Sequence, residues 1–201
     1  MNDRTEVQET APEQTETVGS KFAKEVLDWT VSIAVAIVIA FLIRSYIFTM
    51  VKVDGQSMEP TLSHGDTLFT RIIAYTPKQG DIVIFHPSLS ETVREPNKDI
   101  AYVKRVIALE GQVVDIRDGD VYVDGELVEE DYILETIKVT VPNTMVFPYE
   151  VPKDTVFVLG DNRNNSHDSR SKDVGAVPLD NIIGKAEFRL FPFSNIGGLY
   201  K

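Results

Sequence analysis

The apolar residues of this chain form one long run near the N-terminus and, after residue 50, short segments separated by polar turns. From residue 29 to residue 43, every residue except Thr30 and Ser32 is apolar. As a helix this run would span about 22 Å, less than the ~30 Å hydrocarbon core of a bilayer. The side chain of Arg44 can reach the interface and the apolar surface continues beyond it, so we predict a single transmembrane helix over residues 26–49.

Two other interpretations of this run were weighed. A cleaved secretory signal has a hydrophobic region of similar length, but here the run follows an acidic segment and precedes no small-x-small site. A buried core helix would need a domain to pack against, which the polar residues 1–20 do not offer. We therefore predict that residues 1–25 are a disordered acidic tail. Basic residues flank the run almost evenly, so charge leaves its orientation open.

The segments after residue 50 have the pattern of β-structure. Short apolar segments bounded by turn residues predict strands over residues 66–72, 80–85, 101–109, 155–159 and 183–190, and a hairpin with Asp124-Gly125 at its tip over residues 121–128. Residues 86–100 are polar and irregular, which predicts a loop. We therefore predict a mainly β fold for residues 50–201, an antiparallel β-sheet or barrel-like domain.

Composition excludes some classes of function. The net charge of −11, with no run of lysine or arginine, argues against a nucleic-acid partner. The chain has no cysteine, which excludes disulfides and thiolate metal sites but leaves the compartment open. We predict no metal and no organic cofactor.

A candidate nucleophile lies about a dozen residues after the hydrophobic run. Ser57 is flanked by Gly55 and Pro60 on a backbone expected to turn tightly. Such a turn can direct main-chain N–H groups toward a point beside the hydroxyl, as a serine nucleophile requires to stabilise an oxyanion. Because the same pattern also occurs in ordinary turns, this motif alone leaves both interpretations open.

A serine nucleophile needs a base, and histidine usually supplies it. His64, His86 and His167 are scattered, and the consecutive residues 167–169 cannot make a triad because triad groups converge in space. Each histidine is interpreted as a surface or loop residue. They are also too few and too dispersed for a metal site.

A lysine can act as the base when burial without a counter-charge lowers its pKa. Lys104 lies within an apolar strand segment, and strand alternation sends it and Arg105 to opposite faces. Arg105 cannot be the base because a guanidinium does not deprotonate. On the residues alone, Lys104 could also lie on the solvated face of a strand.

The segment around Ser57, the strand segment around Lys104 and the polar loop of residues 160–170 occur in this order behind one membrane segment. Together they resemble the type I signal peptidases of bacteria over residues 29–193, in the shorter form found in Gram-positive members. The resemblance implies a membrane-bound serine endopeptidase that removes N-terminal signal peptides from secreted preproteins after Ala-x-Ala sites. It also implies a plasma-membrane location, contact with membrane lipid, a cytoplasmic N-terminus and an extracytoplasmic catalytic domain.

The resemblance assigns roles to individual residues. Ser57 matches the nucleophile, Lys104 the general base, and Ser166 the serine that holds the lysine amine. Two ion pairs that frame the site match Asp161 with Arg105 and Asp168 with Arg170. The shallow apolar pockets for the substrate match Val53, Met58, Leu62 and Val103.

Gly55 departs from the pattern of many Gram-negative members, which carry a serine at the matching position whose hydroxyl donates to the oxyanion. Here the second donor must be a backbone N–H or a water molecule.

Two rival functions remain open at this point. Self-cleaving repressors share the Ser–Lys dyad and a related β fold, but they carry a DNA-binding domain where this chain has an acidic, apolar N-terminus. A catalytically silent, membrane-tethered β module is the second rival. Labelling of Ser57 by an active-site serine probe distinguishes an enzyme from such a module.

Overall fold

The computed structural model describes residues 18–46, 48–72, 75–87, 101–138 and 143–200. The chain divides into two units, residues 1–43 and residues 44–201. The predicted loop over residues 86–100 lies mostly outside the described residues, as does most of the predicted tail.

The first unit is dominated by one helix, α1, which covers Val18–Tyr46. It starts earlier than predicted, so residues 18–25 are helical and the prediction of a disordered tail is wrong for them. Its described side chains are exposed, including Trp29 at 73% and Phe41 at 67%. In the described part of the chain, no helix combines the length and the apolar content that crossing a membrane requires.

The second unit is mainly β, as predicted. Its strands are β1 (Phe48–Lys52), β2 (Thr67–Arg71), β3 (Ile82–Phe85), β4 (Tyr102–Leu109), β5 (Val113–Arg117), β6 (Asp120–Val123), β7 (Glu126–Leu127), β8 (Tyr149–Glu150), β9 (Thr155–Leu159), β10 (Val177–Pro178), β11 (Ile182–Phe191) and β12 (Gly197–Gly198). The predicted strands and hairpin correspond to β2, β3, β4, β6 with β7, β9 and β11. The short strands β8, β10 and β12 have no clear period in the sequence. Phe48 and Thr49 of β1 fall within the predicted helix, whereas the alternation of residues 51–54 indicates an exposed strand edge.

The larger sheet is antiparallel, with strand order β1-β2-β11-β3-β4-β9-β10 and with β12 added to β11. Its edge strands β1 and β10 are not paired with each other in the described residues, so the sheet is not a closed barrel. Phe48 and Thr49 pair with Arg71 and Thr70 of β2. The predicted helix end at residue 49 is therefore wrong, because these residues complete an edge of the sheet.

The centre of the larger sheet is covered on both sides. All four residues of β3 and the six inner residues of β4 are buried. One apolar cluster includes Val53, Met58, Leu62 and Val103, and another packs Val83 against Val106 and Val158. A polar side chain on β4 is thus surrounded by protein wherever it points.

The smaller sheet has strand order β7-β6-β5-β8. Its hairpin turns at Asp124 and Gly125, which both have positive φ, as the Asp-Gly signal predicts. A separate apolar cluster that includes Val114, Val121 and Phe157 joins this sheet to β9.

Candidate active site

Ser57 lies in a loop that connects β1 to β2. The two arms of the loop join at its base, where the Val53 N–H donates to the Asp66 carbonyl at 2.8 Å and the Gly65 N–H donates to the Val53 carbonyl at 2.9 Å. Between the arms, the Leu62 N–H donates to the Met58 carbonyl at 2.8 Å. Gly55 has φ +103°, a conformation that a glycine adopts without strain.

Lys104 reaches Ser57 from β4. Its Nζ lies 2.7 Å from Ser57 Oγ and 3.1 Å from the carbonyl oxygen of Val103. The lysine is only 4% exposed, so the interpretation of a lysine on a solvated strand face is wrong. A serine hydroxyl and a lysine amine separated by 46 intervening residues therefore share a hydrogen bond.

Burial determines the protonation of Lys104. Removal from water lowers its pKa from 10.5 to about 8, because the charged amine loses its hydration. Asp168 and Asp161 act against this shift, while Arg170 adds to it. Lys104 makes no salt bridge with a carboxylate in the described residues. A substantial fraction of the amine is therefore neutral at mildly alkaline pH.

Arg105, the next residue of β4, is 5% exposed and fully paired. Its Nε and Nη2 donate to the two oxygens of Asp161 at 2.9 and 2.7 Å, and its Nη1 donates to the Gly80 carbonyl at 2.9 Å. Thr61, four residues after Ser57, donates to Asp161 at 2.5 Å. The pair therefore connects β4, the loop of residues 160–170 and the segment that follows Ser57.

Asp168 and Arg170 form a second bidentate pair, with Arg170 Nε and Nη2 donating at 2.8 and 2.9 Å. Burial alone would raise the pKa of Asp168, but the hydrogen bonds and charge of Arg170 outweigh it, and the Gly160 N–H adds to the lowering. Asp168 also accepts from the Gly160 N–H at 3.0 Å, which ties the pair to the start of the polar loop.

Ser166 lies beside this pair, but its hydroxyl is buried and makes no hydrogen bond of ordinary geometry among the described residues. The hydrogen bond that the resemblance implies between Ser166 and Lys104 is therefore not formed in this structure. The role of Ser166 in holding the lysine amine stays a prediction.

Gly160 and Asn162 dock the polar loop on the Ser57 loop, a contact that the sequence analysis missed. A Cβ atom on Gly160 would collide with the Ser57 carbonyl oxygen and with the side chain of Ser166. The Asn162 N–H donates to the Ser57 carbonyl at 3.0 Å, and its side-chain amide donates to the Gln56 carbonyl at 3.1 Å. Only a glycine permits this approach, and its position directly after a buried strand was the available signal.

A cleft of about 300 Å³ adjoins Ser57 and Lys104. Of the predicted pocket residues, Val53, Met58 and Val103 line it. Leu62 is fully buried in the apolar cluster behind the cleft and is not among the lining residues, so it supports the wall from behind. The lining also includes polar residues that the sequence analysis did not assign to the cleft, namely Lys52, Asp54, Gln56, Tyr102, Asn165 and His167.

The histidines do not contact Ser57 Oγ in the described residues. His64 accepts a hydrogen bond from the Gly55 N–H at 3.2 Å. Nδ1 of His167 lies 3.4 Å from the Tyr102 hydroxyl at the cleft wall. His86 lies beyond the end of β3, where its N–H donates to the Asn181 carbonyl. Lys104 is thus the basic side chain that the fold brings to Ser57.

Comparison with known proteins gives a consistent result. The family described as "Signal peptidase, peptidase S26" matches residues 26–191. The chain is 43% identical to a probable signal peptidase I-1 of Synechocystis sp. over 82% of each chain. It is 37% identical to signal peptidase IB of Staphylococcus aureus over 85% of this chain and 92% of the relative. A crystal structure of a signal peptidase I from Enterococcus faecalis is 31% identical, covers 55% of this chain and 97% of its own, and has a TM-score of 0.41.

The family match covers the Ser57 loop, β4 and the polar loop, and it extends over most of the chain. The two curated relatives exceed 30% identity over more than two thirds of this sequence. The chain therefore belongs to the peptidase S26 family of signal peptidases.

Proposed function

We propose that this chain removes N-terminal signal peptides from exported proteins, with Ser57 as the nucleophile and Lys104 as the general base. The single observation that carries the dyad is the 2.7 Å separation of Lys104 Nζ and Ser57 Oγ at a buried position. The names of the relatives supply the substrate class.

The reaction proceeds through an acyl-enzyme. Neutral Lys104 takes the proton of the Ser57 hydroxyl as the oxygen attacks the scissile carbonyl, and the protonated amine then gives that proton to the leaving amine. A water molecule, deprotonated by Lys104, hydrolyses the ester and regenerates Ser57. The Ser57 N–H makes no backbone hydrogen bond in the described residues, so it can donate to the oxyanion.

Substrate selection follows from the cleft and the edge strand. β1 lies at the edge of the larger sheet, next to the Ser57 loop, so an extended peptide can pair with it as an added strand. Val53, Met58 and Val103 would then form shallow pockets for the residue before the cut and for the residue two positions earlier. Such pockets accept alanine and exclude larger side chains, which gives the small-x-small preference.

The apolar run of residues 29–43 would hold the enzyme at the membrane, with the N-terminus in the cytoplasm and residues 50–201 outside. The exposed apolar side chains of α1 support this location, because an aqueous environment would leave them unburied. Alkaline carbonate extraction of cell membranes tests it, and a chain released into the soluble fraction would exclude an integral anchor.

The test of function uses detergent-solubilised full-length protein and a synthetic peptide with one Ala-x-Ala site. We expect one cut after the second alanine, no cut when either alanine is replaced by leucine, and normal cutting when x is replaced. Ser57→Ala should be inactive, and a serine-reactive probe should label Ser57 only in the unmodified protein. Efficient cleavage after leucine would exclude signal-peptidase specificity, and no cleavage or labelling would favour a silent binding module.

A further inference from the structure

His64 occupies an unusual place at the base of the Ser57 loop. The rungs nearest the sheet join backbone to backbone, through Val53 with Asp66 and Gly65. At the next rung toward Ser57, the Gly55 N–H donates to Nδ1 of His64 at 3.2 Å. The acceptor at this rung is thus a titratable side chain rather than a carbonyl.

The protonation of His64 decides whether this bond can exist. Nδ1 accepts only when the ring is neutral and carries its proton on Nε2. A second proton converts Nδ1 into a donor, which cannot bond the Gly55 N–H. The Asp54 carboxylate lies 3.4 Å from Nδ1 and is the partner of the protonated ring. His64 therefore has one partner in each protonation state.

The other nearby carboxylate does not compete for the ring. Asp66 accepts from the Ser63 N–H at 2.9 Å and pairs with Arg189 Nε at 2.9 Å. Of the described residues, Asp54 is the charged side chain within ion-pair distance of His64. The change of the His64 partner, from the Gly55 N–H to the Asp54 carboxylate, therefore involves only neighbours of His64 within the Ser57 loop.

The Gly55 bond is placed where it can affect the nucleophile. Asn162 holds the carbonyls of Gln56 and Ser57 through its N–H and its side chain. On the same arm, toward β1, Gly55 has φ +103° and no heavy atom within 4 Å of the position that a Cβ would occupy, so its backbone is unpacked on that side. The hydrogen bond to His64 therefore restrains the backbone that enters the turn two residues before Ser57.

We propose that neutral His64 is a positioning residue, which holds the Gly55 backbone so that Ser57 and its N–H face the substrate, and that protonation of the ring releases this restraint. The inference rests on the proposed Ser57–Lys104 chemistry and adds an independent acid-side control to it. Protonation of Lys104 removes the base, whereas protonation of His64 displaces the nucleophile.

The experiment measures kcat and KM of the full-length enzyme on the Ala-x-Ala peptide between about pH 5 and about pH 9. His64→Asn places an amide oxygen near the position of Nδ1 and does not titrate, while His64→Ala removes the acceptor. We expect an additional drop of about fivefold in kcat of the unmodified enzyme on the acidic side of the profile, which corresponds to the loss of one hydrogen bond. His64→Asn should lack this drop and retain full activity at alkaline pH.

His64→Ala should be about fivefold less active at alkaline pH and should meet the curve of the unmodified enzyme at acidic pH. His167→Asn, at the cleft wall, is the matched control and should keep the additional drop. Full activity of His64→Ala at alkaline pH, persistence of the drop in His64→Asn, or its loss in His167→Asn would overturn the proposal. Absence of the main rise through about pH 8 in the unmodified enzyme would instead refute Lys104 as the base.

Discussion

Lys104 and Arg105 are neighbours on β4 and are both buried, but the protein surrounds them in opposite ways. Arg105 donates to both oxygens of Asp161 and to the Gly80 carbonyl. Lys104 contacts the Ser57 hydroxyl and the Val103 carbonyl. Arg105 is thus neutralised by a buried carboxylate, whereas Lys104 is removed from water without a salt bridge.

The difference shows how one strand can carry a structural cation beside a titratable amine. Asp161 and Asp168 lie close enough to raise the pKa of Lys104. Each of these carboxylates is paired bidentately, with Arg105 or with Arg170. Arg170 thus offsets part of the negative charge that would otherwise keep Lys104 protonated, and burial of the amine prevails.

The largest effect is expected from Lys104→Met, which keeps the bulk of the side chain and removes the amine. Peptide cleavage should fall by about 10⁴-fold or more, because the nucleophile and the base act as a unit. Lys104→Arg should be equally inactive, since guanidinium does not deprotonate. Measurable turnover in the methionine variant would contradict the assigned base.

The same variant should not lose stability at neutral pH. The unfolded lysine titrates near 10.5 and the folded lysine near 8, so the unfolded chain binds more protons between these values. The destabilisation by Lys104 is therefore complete below about pH 8 and declines as the pH rises toward 10.5. A thermal melt of Lys104→Met at pH 7 should give a Tm equal to or above that of the unmodified protein.

Arg105→Met is expected to lower the free energy of unfolding. The change leaves the Asp161 carboxylate buried without its cation, which costs about 3–5 kcal/mol of unfolding free energy. Denaturant unfolding of the full-length protein measures the loss. Arg117→Met removes a half-exposed pair with Asp115 and is the matched control, with an expected loss below about 1 kcal/mol. Equal losses of unfolding free energy in the two variants would show that burial does not distinguish the Arg105–Asp161 pair from the Arg117–Asp115 pair.

Gly160→Ala tests the packing that presents Ser57 to Lys104. The added methyl group would displace the Ser57 carbonyl or the Ser166 side chain. Displacement by about 1 Å can reduce the rate about 100-fold. Gly197→Ala is the control, because Gly197 does not have positive φ, has open space around its Cβ position and is not among the cleft-lining residues. Full peptide cleavage by Gly160→Ala would show that the close approach of Gly160 to the Ser57 carbonyl is not needed for activity.

The smallest effect is a shift of the pH profile. The fraction of neutral Lys104 grows about tenfold per pH unit below its pKa of about 8, so kcat/KM should rise through that value and then level. Arg170→Gln removes a charge that lowers the pKa of Lys104, so the midpoint should move to higher pH. Arg170→Lys keeps the charge and should move it less. A downward shift in Arg170→Gln would contradict the electrostatic account.

Local sequence signals predicted most of the fold after residue 50. Short apolar segments identified five strand regions within a few residues, and Asp124-Gly125 identified the hairpin. The predicted helix end was less accurate, because Phe48 continues the apolar pattern of the helix and neither Phe48 nor Thr49 is a helix-stop signal. Their pairing with β2 is a long-range contact that their composition does not report.

The sequence by itself determined which chemistry was available: a serine in a glycine-proline turn, a lysine in an apolar strand, and a polar loop after another strand. Only the tertiary structure decided which groups meet. The register that sets Arg105 opposite Leu159 brings Asp161 to Arg105 and Gly160 against the Ser57 loop. The tertiary structure also decided the pKa of Lys104 and the hydrogen-bond partner of His64. Desolvation and hydrogen bonding depend on what surrounds a side chain in the folded protein, and most of those neighbours are distant along the chain.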